Sequence, residues 1–157
     1  MKWVYRGQLE TKMYDFLTQS DFDDWLWQIP LKLDSLKDSV GENLNIDVTD
    51  EASVRNVSDW VVNKFSDVDE IKNNSKLWDE LSCFFGEYYR ERLSAEWGIE
   101  LDVDNKDSVF FKKPIIKCSP PPICPMSAVT TMIARNNALF IIESIEKRLK
   151  KESKKAS

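Results

Sequence analysis

The sequence predicts an α+β fold, with about five helices around a small antiparallel hairpin, and three observations predict it. Apolar residues recur at helical spacing through much of the chain, most clearly at Leu77, Leu81, Phe84, Phe85, Tyr88 and Leu93. After Trp97-Gly98 the period changes: Ile99, Leu101 and Val103 alternate with Glu100, Asp102 and Asp104, the pattern of a half-buried strand. Four glycines and six prolines in 157 residues are too few for an all-β chain built on tight turns.

Each element has its own signal. Leu9, Met13, Phe16 and Leu17 share a helical face, so an opening helix is expected over residues 2–18. Ser20 and Asp21 are capping types ahead of a short aromatic turn at 22–28. Pro30 is tolerated in a first turn, Leu33, Leu36 and Val40 continue the face and Gly41 can end it, which predicts a helix over 30–40. For 42–50, Leu44, Ile46 and Val48 leave a strand and a loop both open. Thr49 or Asp50 can cap a helix over 51–65 that turns Val54, Val57, Val61 and Phe65 inward. Residues 66–74 are polar and acidic, hence a loop, and Ser75 opens the long helix that ends near Leu93.

In the second half, the turn formers Asn105 to Ser108 separate 99–103 from 109–118, so an antiparallel hairpin is expected, with Pro114 at an edge or bulge. Ser119-Pro120-Pro121-Pro122 is a rigid connector. Pro125 opens a last helix carried by Val129, Ile133, Leu139, Ile142, Ile145 and Leu149, which Asn136-Asn137 can bend or interrupt. The expected organisation is one α+β domain over 1–150 and a basic, frayed tail over 151–157.

Composition bounds the chemistry. There is no histidine, which removes the commonest general base and metal ligand. The four glycines are scattered and form no phosphate-cradling loop. Cys83, Cys118 and Cys124 are odd in number, fit no closed disulfide framework, and are expected to be small apolar residues in a reducing cytoplasm. No apolar run approaches the roughly 18 residues of a membrane span, and Met1 to Gly7 lacks the apolar core of a signal peptide. From Glu146 onward six cations face Glu146 and Glu152, a sum of +4, so the remainder of a chain with net charge −5 carries −9. Such a body repels nucleic acid and attracts basic surfaces. No catalytic set, metal or cofactor is expected.

Three acidic segments are candidates for contact with a partner. Glu100, Asp102, Asp104 and Asp107 read as carboxylates on the outer face of a strand and its turn, an acidic edge able to dock a basic surface. The segment fails as a calcium loop, because Lys106, Asp107 and Lys113 fall where a ligand, a glycine and a bidentate Glu are needed. Asp23 and Asp24, with Asp21, flank Trp25 and Trp27, which are expected to pack partly inward while serving as interface anchors. Asp67, Asp69 and Glu70 form the third cluster. Glu87 and Glu91 are the one carboxylate pair considered for acid/base work, with Arg90 and Arg92 beside them.

Phe85-Gly86-Glu87-Tyr88, Trp97, Lys113-Pro114-Ile115-Ile116 and Cys124-Pro125-Met126-Ser127-Ala128-Val129, with Ile29-Pro30 and Asp34-Ser35-Leu36 upstream, resemble a pattern of small bacterial proteins of largely unassigned function. In size and charge the chain also resembles the immunity proteins encoded beside bacterial toxins. That resemblance implies a non-enzymatic binding protein that neutralises a basic toxin domain by forming a complex with it. A self-associating structural or regulatory protein, such as a homodimer through a hairpin edge, and a carboxylate hydrolase using Glu87 and Glu91 are the alternatives.

Overall fold

The computed structural model describes residues 16–41 and 43–156, and most of the expected opening helix lies outside them. Among the described residues there are seven helices and a two-stranded antiparallel sheet. The class is therefore α+β, with more helices than the five expected.

Helix α1 (Gln19–Trp27) is started by Thr18. The Thr18 hydroxyl accepts from the Asp21 amide, and the Asp21 carboxylate accepts from the Thr18 and Leu17 amides in return. Asp21 is thus the third-position partner of a capping box. Gln28 separates α1 from α2 (Ile29–Val40), which carries Pro30 in its first turn and stops at Gly41 with φ of +98°, a conformation cheap only for glycine. Residues 43–50 form a loop, pinned where Ser53 Oγ donates to the Asn45 carbonyl and accepts from the Asp47 amide. Asp50 caps α3 (Glu51–Lys64) by accepting from the Ala52 amide.

The expected loop at 66–74 contains a short helix, α4 (Val68–Lys72), because Asp67 and Glu70 close a second capping box. Asn74 caps α5 (Ser75–Leu93), which ends where Ser94 turns left-handed at φ of 50°. Helix α5 is the centre of the fold. Trp78, Leu81, Phe84, Phe85, Tyr88 and Tyr89 are all buried, on too wide an arc for a single neighbour, and α2 and α6 pack against it along with α4 and α7.

The sheet is shorter and lies earlier than the alternation at 99–103 suggests. Strand β1 (Glu96–Gly98) pairs with β2 (Ile115–Lys117), with Trp97 opposite Ile116. Ile116 also exchanges backbone hydrogen bonds with Ile123, which occupies the other edge of β2. Between the strands, 99–114 is a turn-rich excursion in which Asp102 caps a 3-10 turn at Val103–Asn105. The expected second arm, 109–118, contains β2, but the first arm is corrected from 99–103 to Glu96–Gly98: the side-chain hydrogen bonds of Asp102 and Glu100 go to local backbone and to Asn105, which favours turns over an extended ladder. The expected last helix is two, α6 (Pro125–Ala134) and α7 (Phe140–Ala156), broken at Asn136 with φ of 47°. The segment expected as a frayed tail from 151 continues α7 as far as Ala156. No helix among the described residues is long and apolar enough to cross a membrane.

Candidate functional site

The two indoles of α1 part company. Trp25 is buried: its Nε1 donates to Asp79 Oδ1 at 3.0 Å, and its ring meets Trp97 edge-on at 5.1 Å. Lys32 lies 4.9 Å from the Trp25 ring centroid and pairs with Asp79 Oδ2 at 2.8 Å. Trp27, expected to pack partly inward, is instead 83% exposed, because its place in the helical turn faces away from α5. Its side chain forms no hydrogen bond or ring contact with a described residue. Leu31 on α2 is 70% exposed, and Asp23, Leu26, Trp27 and Pro30 line one shallow depression. Asp23 and Asp24 are exposed beside Trp27; Asp23 accepts from Gln19 at 3.0 Å. No basic residue occurs in α1, and the Lys32 charge is turned toward Asp79. Trp27 is thus an exposed indole with an acidic border, while Leu31 lines a neighbouring depression with Lys32, Lys76, Asp79 and Glu80.

The second acidic segment is the excursion after β1. Residues 102–109 are exposed throughout, including Val103 and Val109. Glu100 is half-buried and accepts from the Asp102 amide and from Asn105 Nδ2; Asp102 accepts from the Asp104 amide. These bonds set the backbone, while Asp104 and Asp107 present carboxylates to solvent. The four residues are thus held together by turns, where alternation along a strand was expected. The third cluster, Asp67 and Glu70, serves the start of α4, and hydrogen bonds from Ser66 and Asp67 hold the Glu70 carboxyl below its usual range.

The carboxylate pair considered for catalysis is engaged in structure. Glu87 Oε2 accepts from Trp97 Nε1 at 2.6 Å and from Arg90 Nε at 3.0 Å, and Glu91 lies 3.7 Å from Arg90 Nη2. Glu87 thereby aims the Trp97 indole across Gly86. A Cβ on Gly86 would come within 2.0 Å of Trp97 Cη2, so only glycine admits this crossing.

A polar seam between α2 and α5 escaped the sequence reading. Glu80 is buried, accepts from Ser39 Oγ at 3.0 Å and pairs with Lys76 Nζ at 2.6 Å; Lys76 also donates to Ser35 Oγ. Its signal was present: Glu80 falls between Leu77 and Phe84 at positions i+3 and i−4, inside the apolar stripe. Every charged group in this seam has a partner, which makes it a fixture of packing. Burial pushes the Cys83 thiol well above its ordinary value, so it is no nucleophile at neutral pH. Among the described residues no group of three His, Cys, Asp or Glu side chains is placed to hold a metal ion.

Comparison with protein-family models, with curated protein sequences and with solved structures gives no match.

Proposed function

We propose that this protein is a stoichiometric binding protein of the immunity type, which neutralises a basic toxin domain by covering it. The observation that carries the reading is the exposed, acid-bordered indole of Trp27. A tryptophan left in water while its neighbour Trp25 is buried is an anchor without a socket, and tryptophan is the residue type most enriched among energetic centres of interfaces. Asp23 and Asp24 would steer a basic surface toward it, and the exposed carboxylates of Asp102, Asp104 and Asp107, with partly exposed Glu100, add to the same long-range field. Local hydrogen bonds already order both segments, so little conformational entropy is lost on docking.

The test is co-expression with the product of each flanking reading frame. Rescue of a growth defect caused by one of them, with a purified one-to-one complex weakened by Trp27→Ala, is the expected result. A flanking set in which no product is toxic and none binds would overturn the reading. A concentration-dependent homodimer abolished by Trp27→Ala would replace it with self-association.

A further inference from the structure

A cleft of about 270 Å³ opens between the proline connector, at Ser119, Pro120 and Pro121, and one face of α7. The helical wall supplies Lys147, Arg148 and Lys151 against a single carboxylate, Glu152, a net lining charge of +2 on a chain whose net charge is −5. Lys147 and Lys151 lie one helical turn apart and form no ion pair with a described residue. Arg148 is held in place: its Nη1 donates to the Ser119 carbonyl at 3.1 Å and lies 3.2 Å from Cys118 Sγ. Ser144, also on the lining, donates to the Ile141 carbonyl at 2.8 Å and shares a 2.9 Å hydrogen bond with the buried Tyr89 hydroxyl.

We propose that this cleft binds a phosphate monoester of a small hydroxylated body. A dianionic phosphate matches the net charge of the lining, and a guanidinium between two ammonium groups supplies charge-assisted donors from one wall. The pyrrolidine rings of Pro120 and Pro121 form a rigid apolar floor for the body of the ligand, and Glu152 accepts from one of its hydroxyls. The volume sits near the lower end of ligand pockets, which begin at about 300 Å³, so the body is a single sugar or a nucleoside. Lysines that merely complement the helix dipole at a C-terminus require neither a walled cleft nor an arginine tied to the opposite side.

Amide chemical shifts of Ser119, Ser144, Lys147 and Lys151 are followed while ribose 5-phosphate, AMP, ribose or inorganic phosphate is added to the full chain. Saturable shifts with a Kd below about 1 mM for an ester, at least tenfold tighter than for inorganic phosphate, are expected. Equal affinity for ribose 5-phosphate and AMP identifies a sugar phosphate as the ligand, and tenfold tighter AMP identifies a nucleotide; either supports the site. Lys147→Gln/Lys151→Gln should weaken the ester at least tenfold with an unchanged circular dichroism spectrum, and Glu152→Gln should alter affinity for ester more than for inorganic phosphate. No saturation by about 10 mM, an unchanged Kd in the double variant, or inorganic phosphate binding as tightly as the esters would overturn the proposal.

Discussion

Gly86 shows how one residue decides a packing arrangement. Its missing side chain admits the Trp97 ring, whose N–H is held by Glu87 and which makes a T-shaped contact with Trp25. Gly86→Ala would place a methyl 2.0 Å from Trp97 Cη2 and 3.1 Å from Pro125 Cγ, a clash between rigid groups. Overpacking of that kind costs about 1–3 kcal/mol or more, although alanine gains helix propensity over glycine; a lowered urea midpoint with an altered tryptophan emission is the expected outcome. Titrating residues act at the same scale. Burial raises the Tyr89 hydroxyl from 10.0 to about 12, against the hydrogen bond with Ser144. The folded state then holds that proton while the unfolded state releases it, so stability falls as pH rises from 10 toward 12. Thermal melts of Tyr89→Phe should lose that part of the alkaline decline. At the acid end the signs reverse. Backbone hydrogen bonds from Leu17 and Thr18 hold Asp21 below 3.8, and Thr49 does the same for Asp47. Their contribution is complete above the unfolded value and disappears as pH falls through the folded one, so Asp21→Asn should flatten the acid limb of a stability–pH curve.

At the scale of elements, the seam between α2 and α5 makes an asymmetric prediction. Lys76 is 69% exposed in its side chain and Glu80 only 3%. Removing Lys76 leaves a buried carboxylate supported by Ser39 alone, whereas neutralising Glu80 frees a lysine already in water. Lys76→Ala should therefore cost about 1–3 kcal/mol, the usual penalty of an undercompensated buried group, and more than Glu80→Gln. The double variant should be more stable than Lys76→Ala alone, a non-additivity that urea melts of the full cycle would measure. The same scale shows what the sequence made legible. Helices 30–40, 51–65 and 77–93 were readable within a residue or two because each has an apolar stripe behind a start signal, Pro30 in a first turn, Asp50 as a cap and Ser75 after Asn74. Helix α4 was missed because five residues give no periodicity, although Asp67 and Glu70 spelled its capping box. The strand was misplaced because Ile99, Leu101 and Val103 alternate for a different reason. Local hydrogen bonds of Glu100 and Asp102 bend the chain there, and Val103 is left 70% exposed. What selects β1 is tertiary: Trp97 must cover Gly86 while Ile116 faces it across the pair.

For the whole molecule, the relevant quantities are charge distribution and the two exposed surfaces. The acidic residues of the candidate site could be found in the sequence because charge needs no fold to be counted. The opposite fates of Trp25 and Trp27 could not, since they depend on which side of α1 meets Trp97 and Lys32. That division of labour predicts a kinetic separation in the proposed complex. Long-range attraction acts before contact, so reversing Asp102, Asp104 and Asp107 to Lys should lower the association rate and flatten its dependence on salt. Trp27→Ala acts only after contact and should leave the association rate within a few-fold while raising the dissociation rate, with a loss of about 2 kcal/mol or more if the indole is a hot spot. Neither change touches the core: Trp27→Ala should keep the melting temperature of the parent, while the triple variant also removes the Asp102 cap of the 3-10 turn and should lower it slightly. Surface plasmon resonance against the flanking-gene product, run across a salt series, resolves the two effects. A triple variant with unchanged association at every ionic strength removes the acidic excursion from the interface, and a Trp27→Ala complex with unchanged dissociation removes the α1 patch.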